Sequence, residues 1–366
     1  MKVISRNEIL CKNLIDLDKA VISKSVVFRC ISKGGNFPTA PFSFLSGSVP
    51  IILMKEVMEK TFIDNIGIYE IKNSHIFYDG IIIGNNDIFF SDKLNINRDH
   101  CSQVINWILS KREIINEIKI DGTVCPLYGP GWPTWGHWLV EFLPRIFLLK
   151  LSGYNIYEIK FVLPVQTPKF ALDLISKLGI TNLLFFNHEK EIILAEKILI
   201  TNNMSSFGSF HPLFFDYVNW LNSSIKVENN TQEIKKIYLM RTTNNPLRIL
   251  TNRSSIEEIA RNHGYTMLDP NVMSIDDQIN AFRYATHIVG EYGSSLHSSI
   301  FCLGSPFVTA IRGSDIDPGF IQNGICQVLN QRIGYIFGDM DYSVGKGSFY
   351  INESLFKVSL NYADLF

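Results

Sequence analysis

Between residues 236 and 337 the chain alternates short apolar runs with amphipathic helical stretches. KIYLMR (236–241), YTMLD (265–269), HIVGE (287–291), PFVTAI (306–311) and GYIF (334–337) read as strands. Ser254 opens one intervening helix, with Glu257 three residues on at capping-box spacing, and Ser274 opens another. SSLHSSIFC reads as a short helix and 320–329 as a further one. Strands that are apolar throughout need cover on both faces, and short strand–helix–strand connections make them parallel. The second half is therefore expected to be an α/β layer built on a parallel sheet.

The first half is less regular. GIYEIKNSHIFYDGIIIGNNDIFFSD (67–92) reads as two or three short strands joined by turns at Asp79-Gly80 and Gly84-Asn85-Asn86. From about 118 the pattern changes. A long apolar helix at 137–151 precedes a strand at 157–164, a helix opened by Pro168, strands at 183–186 and 197–201, and a helix after Pro212. KVENNTQEIKK (226–236) is polar and lacks aromatics, as a linker does. The expected organisation is a β-rich region (1–117), a first α/β domain (118–225), a linker (226–236), and a second α/β domain with a C-terminal tail (237–366).

Composition narrows the class. A chain of 366 residues has room for two cores, and 46% hydrophobic with 19% charged residues fits a soluble enzyme. A net charge of −1 argues against a broad nucleic-acid surface. The N-terminal stretch does not resemble a signal peptide, and no run approaches the roughly 18 apolar residues of a membrane span. The six cysteines (11, 30, 101, 125, 302 and 326) contain no CxxC pair, which favours reduced thiols in the cytoplasm over a disulfide frame or zinc knot.

Residues 135–150, WGHWLVEFLPRIFLLK, have the apolarity of a buried helix yet carry His137, Glu141 and Arg145 at four-residue spacing. At that spacing the three line one helical face. Burying them is costly unless they pair with each other or with a ligand, so the helix is a candidate active-site wall. The plainer alternative is a network that only braces the helix. Pro144 removes one hydrogen bond and kinks the axis beside the stripe. Ahead of it, YGPGWPTWG (128–136) offers Trp132 and Trp135 as platforms for sugar rings or as ordinary packing.

A second candidate lies in HIVGEYGSSLHSS (287–299). A strand ends at Glu291, Gly293 permits a tight turn, and Ser294 and Ser295 start a helix whose free N–H groups suit a diphosphate. His297 lies one turn further, either toward phosphate or as a core hydrogen-bond partner. The loop RTTNNPLRILTNRSS (241–255) leaves the first strand of the same domain with Arg241, Arg248 and Arg253, which suit phosphate oxygens. Asp315-Ile316-Asp317 has the spacing of a metal-binding DxD, but Pro318-Gly319 follow at once and it reads as a turn, so no metal is expected.

GHWLVEFLPRIFLL resembles the GHW-x-x-E-x-LPR signature of glycosyltransferase family 61. RILTN (248–252), GYTMLDP, the run SIDDQINAFRYATHIVGEYGSSLHSSIF and the following GSPFV are similar to that family's second domain in order and spacing. The resemblance covers roughly residues 118–312, and the β-rich 67–92 is similar to the family's variable N-terminal region. It implies a GT-B-like fold, with two Rossmann-like domains facing a cleft, and an inverting, metal-independent transfer from a nucleotide sugar, usually a UDP-sugar. Many members of the family have His-Gly-Ala-Gly where this chain has Glu291-Tyr292-Gly293-Ser294, so the role of position 291 stays open; Arg248, Asn252 and Glu291 are taken as donor-side candidates.

Inverting transfer needs a base for the acceptor hydroxyl, positive charge for the leaving diphosphate, and alignment of the two. Glu141 is the first choice for base, since a carboxylate in an apolar wall gains basicity, and His137 is its rival. Arg145 would hold Glu141 or bind an acceptor carboxylate. Arg241, Arg248 and the 293–295 turn would stabilise the diphosphate. The expected partners are a nucleotide-sugar donor and a glycan or lipid-linked glycan acceptor, in bacterial capsule or lipopolysaccharide synthesis at the cytoplasmic face of the inner membrane. A noncatalytic nucleotide-sugar or glycan-binding protein is the alternative. A hydrolase using Ser294 or Ser295 is set aside, because no Gly-x-Ser-x-Gly elbow is present.

Overall fold

The computed structural model describes residues 3–4, 12–39, 41–50, 61–110, 115–206, 208–227, 233–242, 249–314 and 320–366. They form two compact units whose chain segments interleave, Met1–Gly35 with Asp64–Met204 and Asn36–Ile63 with Ser205–Phe366.

The first unit is built on strands β1 (Ile66–Ile76), β2 (Ile115–Pro126), β3 (Lys160–Pro164), β4 (Leu183–Phe186) and β5 (Glu191–Thr201). They lie in the order β4-β3-β2-β5-β1. The first four are parallel, and β1 joins β5 antiparallel, with Ile68 opposite Thr201 and Ile76 opposite Ile193. Beyond β1 the sheet continues through the hairpin Ile82–Ile83 and Asp87–Phe90 to Asn13–Asp16. The expected boundary at residue 117 thus falls inside β2, and the β-rich start shares one sheet with the first α/β segment. The reason is a ladder between residues far apart in sequence, which no local pattern reports.

The second unit carries β6 (Lys236–Leu239), β7 (Thr266–Leu268), β8 (His287–Glu291), β9 (Phe307–Gly313) and β10 (Arg332–Met340) in the order β7-β6-β8-β9-β10, all parallel. All seven residues of β9 are buried, as a strand covered on both faces requires. The chain leaves β6 to build β7 on one side, then returns to build β8 on the other. That reversal makes the carboxyl ends of β6 and β8 a topological switch point, where open α/β sheets bind ligands. The helix Ile275–Arg283 starts as expected, with Ser274 Oγ accepting from Asp277 N–H at 3.1 Å. The helix Arg253–Asn262 starts ahead of Ser254, with Asn252 at the capping position.

Two segments join this unit from outside the expected boundaries. Phe44–Gly47 pairs parallel with β10, Phe44 opposite Gly334. The helix Leu213–Ser224 belongs here as well, and its Asn222 amide donates to the Ile300 carbonyl at 2.7 Å. The division therefore falls at Met204/Ser205 rather than in the polar 226–236 stretch, of which 228–232 lie outside the described residues. Among the described residues no helix is long and apolar enough to cross a membrane. The cysteines that are described are free.

Candidate active site

The 135–151 stretch is helical, but not one uniform α-helix. Trp135–His137 is α, Trp138–Phe142 is a π turn, and Leu143–Leu151 is α again. Leu143 N–H reaches back five residues to the Trp138 carbonyl. Pro144 has no N–H to close the turn before it, which favours the wider winding. Irregular winding breaks the single face expected for His137, Glu141 and Arg145.

His137 and Glu141 stay together, with Nδ1 to Oε1 at 2.8 Å. The His137 side chain keeps 36% of its surface exposed and Glu141 only 9%. Burial works against the imidazolium, but the Glu141 hydrogen bond and charge outweigh it, so His137 titrates above its ordinary range. A buried carboxylate holding Nδ1 leaves Nε2 as the basic atom, the arrangement that orients a catalytic imidazole. In this geometry Glu141 is the orienting partner of the His137 imidazole. Gly131, at φ +82°, lies flat against the imidazole, and a Cβ there would stand 2.5 Å from Nε2. Only glycine combines that backbone with that approach.

Arg145 is drawn elsewhere. It is buried, its Nη1 donates to the carbonyls of Pro126 at 2.8 Å and Tyr128 at 3.1 Å, and its guanidinium lies 5.0 Å from the Phe142 ring centre. These hydrogen bonds brace the end of β2, and Glu141 acts on the guanidinium through charge. Trp132 also serves the framework. It is buried, its carbonyl accepts from Trp138 Nε1 at 2.7 Å, and its ring stands edge-on to His188. Trp135 is half-buried with its ring edge-on to Phe170, and of the two indoles it retains the accessible surface.

One set of residues here escaped the sequence reading. Asp79 accepts a hydrogen bond from the Trp132 side chain and stands 3.5 Å from His100 Nε2. Burial raises its pKa above the ordinary carboxylate range. Tyr78 stacks on His188 with ring centres 4.7 Å apart. The Asp79-Gly80 turn was legible, but its partners come from 100, 132 and 188, and only folding brings them together.

In the second unit the expected convergence at the switch point is present. Arg241 Nη2 donates to the Tyr292 carbonyl at 3.0 Å, which sets its guanidinium against Gly293. Arg253 grips Glu291 through Nε at 2.8 Å and Nη2 at 3.3 Å, while Arg241 Nε lies 3.9 Å from the same carboxylate. Glu291 is buried and acts as the counter-charge that positions both arginines. Gly293, Ser294 and Ser295 remain partly exposed at the start of the 3-10 helix Ser294–Phe301, whose first N–H groups have no intrahelical acceptor. Two guanidinium groups and a helix start at one sheet edge are features that suit an anion.

Other expected donor residues have different work. Asn252 clamps Ile351, its amide donating to the carbonyl at 2.8 Å and its Oδ1 accepting from the N–H at 3.1 Å. His297 is buried with Nδ1 2.9 Å from Gln322 Oε1, and that glutamine continues to Ser299 Oγ at 3.0 Å. The Gln322 contact is the core hydrogen bond that one of the two roles expected of His297 calls for. Arg248 and the Asp315–Asp317 stretch lie outside the described residues. Among the described residues no group of three or more His, Cys, Asp or Glu side chains is placed to hold a metal ion.

The mixed α/β architecture, with an imidazole–carboxylate pair in one unit and an anion crevice in the other, fits an α/β glycosyltransferase. The family model described as Glycosyltransferase 61 matches residues 135–305, and this supports that family, and glycosyltransferase activity in general, for the chain. The matched range takes in His137, Glu141, Arg241, Arg253 and the 291–295 turn. No curated protein matches the chain.

Proposed function

We propose that the protein is an inverting glycosyltransferase of the GT-B class that uses a nucleotide-sugar donor, with UDP as the nucleotide. The observation that carries the reading is the crevice at the ends of β6 and β8, where Arg241, Arg253 and the helix start at Ser294 converge. A nucleotide diphosphate is the anion that this edge of a doubly wound sheet suits. The two arginines and the backbone N–H groups supply the positive charge that a divalent ion supplies in other diphosphate sites, which makes the proposed reaction metal-independent.

In the reaction the acceptor hydroxyl attacks the anomeric carbon. The new carbon–oxygen bond forms as the bond to the diphosphate breaks, and the configuration inverts. To the first unit, taken by itself, we assign proton removal, with His137 accepting the hydroxyl proton at Nε2 and Glu141 stabilising the imidazolium through Nδ1. To the second unit, taken by itself, we assign the leaving diphosphate, its negative charge met by Arg241, Arg253 and the 294–295 N–H groups. Trp135 is the aromatic surface we assign to the acceptor. The acceptor is a surface-polysaccharide glycan, lipid-linked, in a bacterial cytoplasm, an assignment that rests on the sequence alone.

The test compares His137→Ala and Glu141→Gln with the wild-type protein, using UDP-sugars as donors and titrating UDP separately. Removing a general base lowers turnover by about 100-fold or more. We expect that loss for His137→Ala, a smaller loss for Glu141→Gln, and unchanged UDP affinity in both. Wild-type protein that binds UDP-sugars but transfers nothing to a panel of glycans would instead support a noncatalytic binding protein.

A further inference from the structure

Strand β7 lies beside β6 on the side away from β8, and its carboxyl end delivers Asp269 to the same sheet edge as Arg241. Its carboxylate is held in a defined orientation. Thr242, the residue after Arg241, donates its hydroxyl to Asp269 Oδ2 at 2.8 Å. Asn271 donates its backbone N–H and its amide to Oδ1 at 3.0 and 3.1 Å, and the amide also reaches Thr242 Oγ1 at 3.3 Å. Among the described residues Asp269 forms no ion pair. Among the described residues Oδ2 takes one side-chain donor, Thr242, and a carboxylate oxygen can accept a second hydrogen bond.

Spacing gives this carboxylate a purpose. Neighbouring strands are about 4.8 Å apart, so the end of β7 lies one such step from the end of β6. In a nucleoside diphosphate the ribose is joined to the first phosphate by one methylene, a comparable step. A phosphate held between β6 and β8, with its nucleoside extending toward β7, puts the ribose over the ends of β6 and β7. Doubly wound sheets commonly meet ribose hydroxyls there with an acidic side chain.

We infer that Asp269, oriented by Thr242 and Asn271, accepts hydrogen bonds from the ribose hydroxyls of the donor nucleotide and selects ribonucleotides over deoxyribonucleotides. The inference rests on the donor-site reading above. It separates the work of the edge into phosphate recognition by arginine and sugar recognition by carboxylate.

Calorimetric titration of UDP, 2′-deoxyuridine diphosphate and inorganic pyrophosphate into the wild type, Asp269→Asn and Asp269→Ala tests it. The asparagine retains an oxygen for the Asn271 N–H, so the turn is preserved, and pyrophosphate binding reports whether the neighbouring crevice is intact. Loss of a hydrogen bond to a charged acceptor is worth about tenfold in affinity. We expect wild-type protein to favour UDP over its 2′-deoxy analogue by that factor, Asp269→Asn to narrow the ratio and Asp269→Ala to abolish it, with pyrophosphate binding unchanged. An unchanged ratio in both variants, with UDP and pyrophosphate still binding, overturns the ribose assignment and leaves the donor site standing. Wild-type protein that binds neither UDP nor pyrophosphate overturns the donor site and the ribose assignment together.

Discussion

The helix at 135–151 and the edge formed by β6 and β8 both gather arginine and carboxylate, but they use them in opposite ways. In the helix, Arg145 is buried and donates to two backbone carbonyls. At the sheet edge, Arg241 and Arg253 close on Glu291, with 17% and 24% of their side-chain surfaces still exposed. A guanidinium sealed onto carbonyls is part of the framework. One held by a neighbouring carboxylate at a partly open edge is charged, oriented and within reach of an anion. Residue type and spacing marked each of these arginines as a candidate site residue, and their environments differ.

The sharpest way to break this comparison is to replace one arginine from each region. Arg145→Met removes the guanidinium that the buried carbonyls of Pro126 and Tyr128 both accept from, and we expect a loss of about 3–5 kcal/mol in denaturant unfolding. Arg241→Met removes one bond at a partly open edge, and we expect about 1 kcal/mol of stability lost but about tenfold weaker UDP binding. If Arg241→Met proves the more destabilising and leaves UDP binding intact, the division into framework and site is wrong.

A smaller effect sharpens the account of the helix. Because Glu141 holds His137 above its ordinary range, a base at His137 loses activity as pH falls through that raised value. The acid limb of the pH–rate profile is therefore expected above the usual imidazole range of about 6.5, and Glu141→Gln should move it to lower pH. The stability linkage has the opposite direction. A raised folded-state pKa contributes stability that is complete below the unfolded value and is lost as pH rises through the folded one. An acid limb that stays in place in Glu141→Gln would remove His137 from the role of base.

The smallest effect concerns Asn252. Its amide clamps the backbone of Ile351, so Asn252→Ala is expected to cost about 1 kcal/mol in thermal or denaturant unfolding and to leave UDP affinity unchanged. A selective loss of UDP binding would return it to the donor site.

Local pattern was enough for the parallel strands of the second unit and for the helix start at Ser274, since each follows from apolar runs, capping residues and short connections. It was enough, too, for the pairing of His137 with Glu141, which needs only one helical turn. Tertiary structure decided the rest. It ran β1 along β5, drew Phe44–Gly47 onto β10, and moved the division between units to Met204/Ser205. It also opened a π turn between His137 and Arg145, bonded Asn252 to Ile351 and His297 to Gln322, and joined Asp79 to Trp132 and Asp269 to Thr242. The physical reason is range. Helix periodicity and capping act over three or four residues, where sequence spacing is distance. Sheet ladders and buried polar contacts join residues many tens of positions apart, and their partners exist only once the chain has folded.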